Sequence, residues 1–250
     1  MVSGFGLAVA LGTLLLGTPL NAQAADAWRV GSFEDQQAAG PFHRIVSEAY
    51  ARIGLKAHFE PVPLLRGESL LGSGDLDAVL ARTEQSAAKL PFALKVGVPL
   101  RLVEYVAVRQ PPCAPRLELA ELARLRVTLQ RGSGALEAAL PAGPKVPALD
   151  PHEALRYVQG GMADLAALPL TPAMRTAVER EGFCTVAEPL LVVPFFHLIH
   201  TRHAAWLPRL DSALKDLERS GFTARVWQDA ERDYAGWQLK LNRPGASSKP

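Results

Sequence analysis

Two arginines bracket a compact unit in the run 63–83, PLLRGESLLGSGDLDAVLART. Arg66 lies just before an apolar helical stretch holding Leu70 and Leu71, and Gly72-Ser73-Gly74 stops that stretch. Asp75-Leu76-Asp77 then leads into a short buried strand, 78–81, with Arg82 at its carboxyl end and Thr83 beside it. A parallel α/β sheet places its ligands outside the carboxyl ends of its strands. Both guanidinium groups are therefore expected to face one cleft and to grip an anion through paired N–H groups. Taken singly, each arginine reads as a solvated surface residue; the shared setting is what favours a site.

A second candidate wall is Arg131-Gly132-Ser133-Gly134, between an expected strand (126–130) and helix (135–140). Backbone N–H groups opening a helix suit a carboxylate or phosphate, and Arg131 would add charge. The alternative is a plain strand-to-helix turn. Glu34 and Asp35 follow an apolar strand, 28–33, and would either orient a polar group or stand in solvent. His197, His200 and His203 are spaced by three on a stretch that reads as a strand and its exit. Residues three apart on a strand face opposite ways, so no metal site is expected there. Phe195 and Phe196 suit core packing better than stacking on a ligand. The chain carries no nucleophile elbow, HExxH, P-loop or dinucleotide fingerprint, and no cofactor is expected.

The elements that must position these groups follow from pattern and composition. The 250 residues are 48% hydrophobic and 21% charged, which fits a folded globular chain. Twenty-seven Lys and Arg against 25 Asp and Glu, with no basic run, point away from nucleic acid and membrane surfaces. Residues 5–20 are almost wholly apolar or small, and Ala22-Gln23-Ala24 matches a small-x-small cleavage pattern. Residues 1–24 thus read as a secretory signal peptide, although no Lys or Arg precedes Arg29. An uncleaved anchor is the alternative, and it is short for a membrane span. The two cysteines, Cys113 and Cys184, would form a disulfide in an exported chain or stay as buried thiols. Gln110-Pro-Pro-Cys-Ala-Pro115 is a break that no central strand or helix continues. Strands and helices alternate on both sides of it. A helix, a Gly-rich turn, Asp and a buried strand recur at 70–81 and 155–168.

This order of elements resembles the bacterial extracellular solute-binding proteins of family 3, the periplasmic receptors of polar amino-acid importers. The residues that carry the likeness are Arg29-Val30-Gly31, Ile53-Gly54-Leu55-Lys56 and the Gly-x-x-Asp unit of 71–77. Further carriers are LRVTLQRGS (125–133), GMADL (161–165) and the helix pair of 210–227. The resemblance implies an α/β, two-lobed periplasmic-binding-protein-like fold of type II with two hinge crossings. Lobe 1 would comprise 25–109 plus 196–241, lobe 2 would comprise 110–195, and 242–250 would be a disordered tail. The chain departs from the pattern of α-amino-acid binders at Lys89, where that pattern has Arg, and at Pro169, where it has Asp. It is closer to the branch with an Arg before the helix and another after the strand, at Arg66 and Arg82.

The function so implied is capture of a small polar or anionic solute for an ABC-type importer. The protein would be a periplasmic monomer with no membrane insertion of the mature chain, and the permease would be its partner. Glu34, Arg66, Arg82, Thr83, Arg131, Gly132, Ser133 and Gly134 are the expected contacts. Two alternatives stay open. One is an orphan sensor. The other is an enzyme resembling a cyclic-acid dehydratase, with Glu34 or Glu84 as general acid.

Overall fold

The computed structural model describes Met1 and residues 27–113 and 116–236. Apart from Met1, the expected signal peptide lies outside the described residues, and so does the expected tail. In chain order the first elements are β1 (Trp28–Ser32), α1 (Gln36–Arg52), β2 (Ala57–Pro61), α2 (Leu64–Ser73), β3 (Ala78–Thr83), α3 (Glu84–Ala87) and β4 (Ala93–Arg109). Then come α4 (Leu119–Leu122), β5 (Val127–Gln130), α5 (Gly134–Ala139), β6 (Lys145–Ala148), α6 (Pro151–Gln159), β7 (Leu165–Pro169) and α7 (Pro172–Arg180). The chain closes with β8 (Cys184–Thr185), β9 (Leu191–His200), a 3₁₀ turn at Thr201–Trp206, α8 (Leu207–Arg219) and α9 (Phe222–Tyr234).

The strands form one sheet in the order β2-β1-β3-β9-β4-β7-β5-β6, with β8 on β4. β1, β2 and β3 are parallel, as are β5, β6 and β7. Between these two groups lie the long antiparallel strands β4 and β9, paired from Ala93↔His200 to Tyr105↔Leu191. The chain crosses from one half to the other along β4 and returns along β9.

β4 starts at Ala93, seven residues before the strand expected at Leu100. Gly97 and Pro99 hide its first part: register shifts flank Pro99, which has no N–H to give to a ladder. α1 likewise opens at Gln36, ahead of the Pro41 from which its periodicity runs. Asp35 caps it, its Oδ1 accepting from the N–H groups of Gln37 at 3.0 Å and Ala38 at 3.1 Å. After the two-residue β8, β9 runs straight through Pro194 from Leu191 to His200.

Each half has its own core. Val30, Ile45, Tyr50, Leu80 and Leu214 are buried in the first, and Leu155, Ala166, Leu168 and Val178 in the second. α9 belongs to both. Its Val226 is buried with the first core, and its Ala230 and Tyr234 are buried with the second. Glu231 of α9 accepts from the Ala173 N–H of α7 at 3.1 Å and from Arg101 at 3.2 Å. The second half also carries a disulfide between Cys113 and Cys184, with Cα atoms 5.3 Å apart across 71 residues.

Candidate functional site

A cavity of about 260 Å³ lies between the halves. Its first-half wall includes Phe33, Glu34, Asp35, Arg82, Thr83 and Ser86; its second-half wall includes Gln130, Gly132, Ser133, Gly134, Asp150 and Leu170. The crossing strands supply the floor through Arg101, Leu102, Glu104, Tyr105 and Phe195, while α9 adds Trp227 and Tyr234.

Arg82 stands near the end of β3, a strand buried along its whole length, so its side chain is enclosed. It is 5% exposed, and its Nε donates to Glu68 Oε1 at 3.2 Å. Nη1 donates to the Ala81 carbonyl at 2.8 Å and Nη2 to the Leu64 carbonyl at 2.9 Å. Room for this packing comes from Gly67, where a Cβ would stand 3.1 Å from Nη2. Burial pulls the guanidinium pKa down, and Glu68 works against that. The cation in the wall therefore already has its counter-ion. Of its five N–H groups, two remain for an acceptor in the cavity.

Thr83 caps α3, its Oγ1 accepting from the Ser86 N–H at 3.2 Å. Arg66 goes elsewhere. Because α2 begins at Leu64, Arg66 falls in its first turn, on the exposed side and outside the cavity wall. Arg131 is likewise exposed and outside the wall, although its backbone N–H joins the Ala148 carbonyl at 2.8 Å. Arg66 and Arg82, expected to face one cleft together, thus do not meet there. Lys89 comes nearer, its Nζ 3.7 Å from where a Gly134 Cβ would be.

Gly132, at φ 90°, is where the halves touch: a Cβ there would sit 3.1 Å from Leu65 of α2. α5 is only six residues long, and the Ser133 side chain caps nothing in it. Ser133 is buried and stands near Tyr105, whose phenol is pushed up to about 12, chiefly by burial, with Ser133 and Arg82 opposing. Tyr105 thus joins the crossing strand to the second half beside Arg82.

Glu34 lines the cavity, and its carboxyl pKa is raised, first by burial and then by Asp150 across the cleft. Asp35 reaches over to His152, 3.4 Å from Oδ2 to Nε2. Asp150 caps α6 by accepting from the Glu153 N–H at 2.7 Å. Glu84, the other acid considered, is exposed, paired with Lys95 and outside the wall. The three histidines go separate ways. His197 lies between the Tyr50 hydroxyl at 2.8 Å and the Leu80 carbonyl at 3.1 Å. His200 accepts from the Arg202 N–H, while His203 holds Asp77 at 2.6 Å.

Sequence patterns missed the aromatic side of the cavity. Phe33 and Phe42 meet edge to face at 5.5 Å, and Phe42 meets Trp227 in the same way at 4.9 Å. The Arg101 guanidinium lies 4.0 Å over the Trp227 ring and pairs with Glu231. These residues come from α1, β4, α9 and the loop after β1, and no local spacing links them.

Two α/β halves, two antiparallel crossings and a cavity between them define the two-lobed periplasmic-binding-protein-like fold. Solved structures of that fold superpose on most of the chain. An ancestral arginine-binding protein bound to arginine matches with a TM-score of 0.70 at 18% identity, covering 82% of this chain and 98% of its own. An amino-acid ABC transporter substrate-binding protein from Streptococcus pneumoniae, bound to L-arginine, gives 0.71 at 12% identity, covering 84% and 96%. A histidine kinase sensor domain with similarity to periplasmic binding proteins gives 0.67 at 19% identity, covering 82% and 96%. No family model matches the chain, and no curated protein matches it by sequence.

Proposed function

We propose that this chain is a solute-binding receptor that closes on a small polar solute between its two lobes. The observation that carries this reading is the cavity itself: both lobes and both crossing strands wall it, so an occupant contacts surfaces that meet only when the lobes close. Differential contact of this kind shifts an open–closed equilibrium. The structural neighbours include proteins with arginine bound, which supports a small-molecule ligand here. Delivery to an ABC-type importer from the periplasm, after removal of residues 1–24, completes the proposal. Among the described residues no helix is long and apolar enough to cross a membrane. The sensor-domain neighbour favours a second reading, in which closure is reported to a signalling partner rather than to a permease.

Isothermal titration of the chain against amino acids, amines and organic acids, followed by small-angle scattering with each binder, tests the proposal. A receptor binds one class in the micromolar range or tighter and holds the lobes closed when it does. If every solute is inert in both measurements, the receptor reading falls.

A further inference from the structure

We infer that the group this cleft selects is an organic cation, an ammonium or guanidinium, held at Glu34 beside the Phe33–Phe42 rings. The inference rests on the receptor reading and names its ligand class. Two cations and four carboxylates line the cavity: Arg82 and Arg101 against Glu34, Asp35, Glu104 and Asp150. Both cations are already matched by carboxylates behind the wall, Arg82 by Glu68 and Arg101 by Glu231, each at 3.2 Å. Glu104 has Arg175 at 2.6 Å, Asp35 has His152 and the α1 N-terminus, and Asp150 has the α6 N-terminus. Glu34 makes no hydrogen bond or ion pair among the described residues.

The wall therefore carries at Glu34 a carboxylate that the protein leaves unmatched; it is exposed to water in the cleft, and lobe closure on a ligand would strip that water, where charge is costly unless it is paired. The raised Glu34 pKa has the same origin, with burial first and Asp150 second. A ligand cation between Glu34 and Asp150 relieves that cost, whereas an anion adds to it. The rings beside Glu34 suit the same charge, since aromatic faces attract cations. Arg101 already lies over Trp227 in this way. At the far end, the spare N–H groups of Arg82 take an acceptor.

The test is titration of the full chain with agmatine, a guanidinium without a carboxylate, with arginine, and with benzoate and succinate. Agmatine and arginine bind and the two acids do not. Glu34→Gln weakens agmatine at least tenfold and does not lower the melting temperature, because Glu34 has no partner inside the protein to lose and only Asp150 beside it to repel. Arginine tighter than agmatine shows that the Arg82 end takes the carboxylate, which also supports the cationic selection at Glu34. The inference is overturned if the acids bind and agmatine does not, or if Glu34→Gln binds agmatine like wild type. In those cases the receptor reading stands. Silence toward every probe in both titration and scattering overturns the two together.

Discussion

Replacing Glu68 by Gln perturbs the buried pair that sets the charge of the cleft. The Arg82 side chain is 6% exposed and that of Glu68 is 17% exposed, so water compensates little when the negative charge is removed. Removing one partner of a fully buried pair costs about 3–5 kcal/mol. Gln keeps an acceptor for Nε, and the two carbonyl bonds of Arg82 persist, so a cost of roughly 2–3 kcal/mol is expected. For a chain of this size that lowers the melting temperature by about 4–12 °C, measured by calorimetry at neutral pH. Glu60→Gln is the control. It breaks the Arg29–Glu60 pair, in which the Arg29 side chain is 52% exposed, and its effect is expected to be far smaller. The same Glu68→Gln variant frees the Arg82 charge for the cavity, so benzoate affinity should rise above that of wild type. Equal melting temperatures for Glu68→Gln and wild type, with unchanged benzoate binding, would refute the view that Glu68 neutralises Arg82.

Three further outcomes follow from the same structure. His197, fully buried, has its pKa lowered from 6.5 to about 4 by desolvation. The unfolded chain therefore takes up a proton between those values and the folded one does not. Stability is full above pH 6.5 and falls as pH drops toward 4, by up to about 3 kcal/mol from this residue. Urea midpoints across that window should show it, with His43 adding to the slope and a His197→Phe variant flattening it. Cys113→Ser opens a 71-residue loop and should cost about 2–4 kcal/mol in denaturant titration, an effect that reduction of wild type reproduces. Glu231→Gln weakens the tie of α9 to Ala173 and Arg101. Scattering without ligand should then give a larger radius of gyration, and an unchanged radius would show that α9 does not restrain the lobes.

What the sequence alone determined is local. α6 runs from Pro151 to Gln159 behind an Asp150 cap, and α9 from Phe222 to Tyr234. α6 is legible because the Asp150 cap, an apolar period and Gly160 lie within one stretch of chain, whereas α9 shows an apolar period after Gly221 with no side-chain cap. The two-lobed plan was also visible, since alternating units broken by Gln110–Pro115 imply a parallel sheet on each side. The opening of α1 was hidden because Pro41 looks like a first-turn residue, while the Asp35 cap lies six residues earlier and accepts from the N–H groups of Gln37 and Ala38.

Charge pairing was the part that only the tertiary structure decided. Arg66 and Arg82 look alike in sequence, yet the first turn of α2 sends Arg66 to solvent while Arg82, on a strand buried on both faces, is enclosed against Glu68. The aromatic wall and the Tyr105–Ser133 contact join residues far apart in the chain, which no periodicity records. Position along the chain sets which charges exist. Packing sets which of them already have partners, and here it leaves Glu34 facing the cleft with its charge unmatched.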